Sequence, residues 1–255
     1  MQIGEAAERA GLGTHRAGYL SRRSNSEKGA IRTGVIAAVL TPLAVIGYAA
    51  KTGWADFVAM GATVFAALFV LTGLGSLRYR GRNRAVRLDL FESGFVATRG
   101  EGLRVVRYAN TAVRQRIVHY VRTNETYYRY WVTDINGATL LLRENFVDPQ
   151  QWGPAIQVGV TDVQWPDVWA DLESGRRVEF GSLWLSNTEI GSDRYSEPWA
   201  EIKQIKIAPN RIRIDVEGKP GLPGPATETV PNVYLFRAVA DRLCSIHGRA
   251  GVVTQ

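Results

Sequence analysis

The residues of this 255-residue chain best suited to chemistry are arginines. Arg114, Arg116 and Arg122 share one parity of a β-branched and aromatic stretch at 113–122, with Val118 and Tyr120 between them. Arg129 falls in the next such stretch, 126–133, and Arg99, Arg104 and Arg107 come shortly before. A planar guanidinium offers two parallel hydrogen bonds, so arginines on one strand face suit a phosphate or another anion. The same pattern also fits an ordinary solvated strand face.

Other reactive residue types do not assemble into a motif. His15, His119 and His247 are far apart, and His119 has the strand parity of Gln115 and Ile117. The chain has no HExxH, no GxSxG elbow and no P-loop. Gly100-Glu101-Gly102 lacks the third glycine and the following helix of a dinucleotide fingerprint. Asp167 and Asp171 are four apart on an expected short helix, where solvent accounts for them, and Glu197/Glu201 is a similar pair. The single cysteine, Cys244, excludes an intramolecular disulfide and a multi-cysteine metal site. The expectation is a non-enzyme with no catalytic residue, cofactor or metal.

The elements that carry these residues read mostly as β. Short strands are expected over 86–91, 94–98 and 103–108, and longer ones over 113–122 and 126–133. Asn136-Gly137 is a hairpin turn signal leading into 138–143. Asp148 and Pro149 then open a helix to about 160, with a second short helix at 166–172. The order begins again at 177. Strands are expected at 178–186, near 190, and over 199–207, 211–216 and 227–230. Asn232 then caps a helix to about 246 whose Val233, Phe236, Ala240 and Leu243 form one apolar stripe. Weak local matches, 90–94 with 185–189, 106–109 with 198–201 and 145–147 with 232–234, point to duplication.

Upstream, two runs free of charged residues, 33–50 and 57–77, are separated by six residues. As helices they rise about 27 and 31 Å, against a bilayer core of roughly 30 Å. The pattern predicts a two-helix transmembrane hairpin. Residues 1–87 carry 12 Lys/Arg against 4 Asp/Glu, whereas 88–255 carry 19 against 20. The net charge of +7 therefore resides in the hairpin flanks. That argues against a nucleic-acid partner. It also places both termini in the cytoplasm, with Arg78, Arg80, Arg82 and Arg84 against anionic lipid of the inner leaflet.

Strands closed by one helix suggest the pleckstrin-homology (PH) superfold. The segments 175–181 (GRRVEFG), 197–202 (EPWAEI) and 230–233 (VPNV) resemble those of uncharacterised actinobacterial membrane proteins with a PH-like domain behind a transmembrane hairpin. The resemblance covers roughly 86–247 and implies a bacterial membrane-bound adaptor without chemistry of its own. The expected class is an α+β membrane protein, an N-terminal transmembrane hairpin followed by tandem PH-like units. The divisions are a basic tail at 1–30, the hairpin at 31–77, a basic linker at 78–87, PH-like units at 88–174 and 175–248, and a tail at 249–255. The expected location is the cell membrane, multi-pass. The expected function is a membrane-anchored adaptor for a protein or peptide. Anionic-headgroup binding by Arg114, Arg116, Arg122 and Arg129, or a place in a larger membrane assembly or homo-oligomer, are the alternatives.

Overall fold

In the computed structural model, residues 3–21, 87–99 and 102–254 are described. One compact unit contains the described residues of 3–19, 88–97 and 103–254. Residues 20, 21, 87, 98, 99 and 102 belong to a second unit.

The chain order is helix α1 (Ile3–Arg9), then strands β1 (His15–Leu20), β2 (Arg87–Phe91), β3 (Gly94–Arg99) and β4 (Gly102–Arg107). Next come β5 (Ala112–Tyr120), β6 (Glu125–Thr133), β7 (Thr139–Arg143) and helix α2 (Pro149–Glu173). Strands β8 (Val178–Phe180), β9 (Leu183–Leu185), β10 (Glu189–Ser192) and β11 (Ser196–Pro198) follow. The last elements are β12 (Ile202–Ile207), β13 (Ile212–Val216), β14 (Leu222–Pro223), helix α3 (Val233–Ile246) and β15 (Val252–Thr254).

The sheets have the orders β1-β2-β3-β4, β5-β6-β7, β11-β10-β9-β8 and β14-β13-β12-β15. A four-stranded sheet, a three-stranded set and a helix thus occur twice, with β15 added in parallel to β12 the second time. The passage between sheets is alike in both halves. A 3-10 turn at Tyr108–Asn110 or Trp199–Glu201 begins with a fully buried aromatic residue. The helix entries also agree: Asp148 (φ +53°) and Asn232 (φ +50°) are both left-handed N-caps. The structural equivalence is therefore 148 with 232, three residues off the sequence match of 145 with 232.

These findings correct the membrane assignment. Among the described residues, no helix is long and apolar enough to cross a membrane. The three helices among the described residues have 7, 25 and 14 residues, and most of the other described elements are β-strands. The long one, α2, carries Gln151, Asp162, Gln164 and Asp167 along its length. A span needs an apolar helix of about 20 residues, and α2, the one described helix of that length, is interrupted by these polar side chains. The class of transmembrane hairpin protein is not retained. The two-span membrane partner, its inner-leaflet lipids and the multi-pass location with cytoplasmic termini go with it. The hairpin segments 33–50 and 57–77, and Arg78, Arg80, Arg82 and Arg84, lie outside the described residues.

Residues at both ends enter the fold. Within 1–30, α1 packs Ala7 on Leu12, Phe91 and Val96, and β1 joins the first sheet. That pairing spans more than 60 residues of sequence, so no local pattern reveals it. Helix α2 is continuous through Pro154 and Pro166 where two helices are expected. Each proline removes an i→i−4 bond, and burial on two sides offsets the loss. The first turns bury Trp152, Ile156 and Val160, and Gly153 lets the helix meet the Tyr130 ring, where a Cβ would clash. The last turns bury Leu172 in the second core, and Trp165 and Trp169, stacked with ring centroids 5.5 Å apart, pack against it. One helix thus closes the first strand set and supports the second.

Asn232 joins the two halves. Its backbone N–H donates to the Val113 carbonyl at 2.8 Å, and its Oδ1 accepts the Val113 N–H at 2.7 Å. Its Nδ2 donates to Thr111 O at 3.1 Å and to Gln164 Oε1 at 2.9 Å. The N-cap position expected for this residue is observed, but the side chain makes no helix cap and serves β5 instead. Asn232→Ala should lower stability by about 2–4 kcal/mol, from orphaned buried partners and a strained positive φ. Asn232→Gly keeps only the hydrogen-bond loss and should cost less. Urea unfolding of both variants checks the order; equal stability of wild type and Asn232→Ala would contradict it.

Candidate functional site

The outer face of the β5–β6–β7 sheet carries the arginines. In the β5–β6 ladder Arg116 lies opposite Arg129, Val118 opposite Tyr127, and Tyr120 opposite Glu125. In the β6–β7 ladder Arg129 lies opposite Arg143. Arg116, Arg129 and Arg143 therefore stand abreast on three adjacent strands, and all three are exposed. Like charges directly opposite on a sheet are destabilising. One partner relieves the row: Glu228 pairs with Arg116 at 3.3 Å. Arg129 and Arg143 have no ion pair among the described residues.

Beside the row lies an open groove of about 320 Å³. Arg116 and Arg129 line one end, Val118 and Tyr127 the middle, and Glu125 with Tyr120 the other. Tyr120 and Tyr127 meet edge to face with centroids 5.3 Å apart, and Tyr120 is 54% exposed. The Tyr127 hydroxyl donates to Glu125 Oε2 at 2.9 Å, and that bond to a carboxylate raises the phenol above its usual range.

The sequence-derived residues separate. Arg116 and Arg129 line the groove together. Arg114 sits one row away, opposite Trp131. Arg122 lies in the turn after β5, beyond the strand face. Arg104 donates to Asp134 Oδ2 and to Ala138 O, each at 3.0 Å, and Arg107 donates to Ala10 O. Both serve the fold. Arg143 and Glu228 join Arg116 and Arg129, and strand alternation over 113–122 and 126–133 points to neither. The Asn136-Gly137 turn (Gly137 φ +75°) carries the information for Arg143, because counting outward from it sets Arg143 against Arg129. Nothing local signals Glu228.

The histidines are structural partners: His15 Nε2 meets Asp89 Oδ1 at 2.9 Å, His119 Nδ1 meets Thr126 Oγ1 at 3.0 Å, and His247 Nε2 meets Asn187 O at 3.0 Å. Cys244 is buried, and burial pushes its thiol up to about 11. Among the described residues, no three of His, Cys, Asp and Glu come together to hold a metal ion.

The family model described as a family of unknown function (DUF6585) matches residues 1–243, and the chain belongs to that family. No curated protein and no solved structure matches the chain.

The β6–β7 turn that aligns Arg129 with Arg143 is held by Asp134. Desolvation raises the Asp134 carboxyl, but Arg104 and the N–H groups of Ala138 and Asn136 outweigh it, leaving the group below its ordinary value. A depressed folded-state value stabilises above the unfolded one, about 3.9, and that contribution is lost as pH falls through the folded value. Asp134→Asn should therefore be less stable than wild type at pH 7, with the difference closing as pH falls below the unfolded value and through the lower folded one. Thermal melts across that range check it; a pH-independent difference would contradict it.

Proposed function

We propose that this protein is a non-enzymatic adaptor of two PH-like units, whose first unit takes an acidic protein or peptide on the outer face of the β5–β6–β7 sheet. The carrying observation is the row Arg116–Arg129–Arg143, in which two of three cations have no ion pair among the described residues. A sheet that sets like charges side by side gains when an anion enters, because guanidinium–carboxylate bonds then replace repulsion. The PH-like reading is supported by the recurrence of a four-stranded sheet, a three-stranded set and a helix. The non-enzymatic reading is supported by the histidines, each hydrogen-bonded within the fold and none of them lining the groove.

A peptide adding to the edge of β5 has little room, since Asn232 takes the backbone groups of Val113. The sheet face is open. A partner there presents carboxylates on alternate residues, matching the period of an extended chain.

Fluorescence anisotropy with a labelled peptide of alternating Glu and Val tests this. Binding should weaken steeply with salt, and the double variant Arg129→Glu/Arg143→Glu should lose at least about tenfold in affinity. Affinity unchanged by the double variant, or insensitive to salt, would contradict the proposal.

A further inference from the structure

The groove beside the arginine row is graded in chemistry along its length. Arg116 and Arg129 form a cationic end. Val118 and Tyr127 form an apolar and aromatic middle, and Tyr120 with Glu125 form an aromatic and acidic end. From the Arg116/Arg129 pair to the Tyr120/Glu125 pair is four residues along each strand, about 13 Å. Glu125 Oε2 is taken by the Tyr127 hydroxyl, whereas Oε1 has no bond among the described residues, and Glu125 lines the groove. The volume, about 320 Å³, is at the lower end of small-molecule sites.

We infer that the groove binds a phosphate monoester bearing a flat ring with a hydrogen-bond donor at its far side, of which an aminopurine mononucleotide is the common form. The inference deepens the proposed anion-binding face and rests on it. The phosphate takes the guanidinium of Arg129, and Arg116 supplies a second fork in place of its bond to Glu228. The sugar lies over Val118 and Tyr127. The base stacks on Tyr120, a residue more than half exposed, and its exocyclic amine donates to Glu125. Each part of such a ligand meets its complement in order, whereas inorganic phosphate uses only the first end and adenosine only the second.

Titration calorimetry of the full chain with AMP, purine riboside 5′-monophosphate, ribose 5-phosphate, inorganic phosphate and adenosine tests the order. AMP should bind at least fivefold tighter than ribose 5-phosphate or purine riboside 5′-monophosphate, whose ring has no donor at its far side. Arg129→Gln should weaken AMP and inorganic phosphate alike by tenfold or more. Tyr120→Ala should weaken AMP and leave inorganic phosphate unchanged. Arg122→Gln, outside the groove, should leave all affinities as they are. AMP no tighter than ribose 5-phosphate, or AMP binding unaffected by Arg129→Gln, would overturn the inference. So would binding to phosphatidylcholine–phosphatidylserine vesicles with no response to AMP, which would mark the hairpin tip at Val121 as a lipid contact. Failure of AMP alongside retained acidic-peptide binding would remove this inference and leave the adaptor reading standing.

Discussion

The edge of β5 exposes backbone groups that need partners, and Asn232 supplies them. Four hydrogen bonds run from this one residue to Val113, Thr111 and Gln164. Three of its bonds reach the start of β5, and the fourth reaches the helix that closes the first strand set. Asn232 itself opens the helix that closes the second. A residue at φ +50° costs free energy, and asparagine bears that cost better than most. The network explains why it is kept: Gln164 Nε2 also donates to Tyr108 O and Thr111 O, so a single polar cluster fixes β5 against both helices. Buried polar groups so satisfied specify one arrangement.

That arrangement gives the sheet face its shape. With β5 anchored at Val113, residues of one parity point to the core and those of the other point outward. Val113, Tyr130, Val132 and Leu142 are buried, and Arg114, Arg116, Arg129 and Arg143 are exposed. The β6–β7 turn, held by Asp134 and Arg104, sets the third strand in register. Repulsion within the arginine row is therefore built in by strand pairing and cannot relax by slippage, since a one-residue slip would turn the core outward. Glu228, from the 3-10 turn that precedes α3, offsets part of it. The second half of the chain thus both anchors the arginine-bearing face and bears on its charge.

Much of this architecture is legible in the sequence, and the reasons for the gaps are particular. Alternation along 113–122 and 126–133 shows the face shared by Arg114 and Arg116, because strand parity is a local property. Arg122 joins that face only if the strand runs to 122; the turn begins at 121. Arg143 is within reach through the Asn136-Gly137 turn. Glu228 and the role of Asn232 depend on contacts more than 100 residues apart, which no single-sequence pattern encodes. Pro154 and Pro166 suggest two helices, but burial against two cores keeps one. The apolar runs at 33–50 and 57–77 suggest a membrane hairpin from length and hydropathy alone, and the helices described in the structure do not provide it.

The proposed anion-binding face rests on strand register, which sets Arg116, Arg129 and Arg143 abreast. Its most direct test is a nuclear magnetic resonance titration of the full chain, following the arginine Nε–Hε signals as the alternating Glu–Val peptide is added. Concerted shifts of Arg116, Arg129 and Arg143, with Arg104 and Arg107 unmoved, are the result expected. Shifts confined to other arginines, or none in this row at saturation, would contradict it.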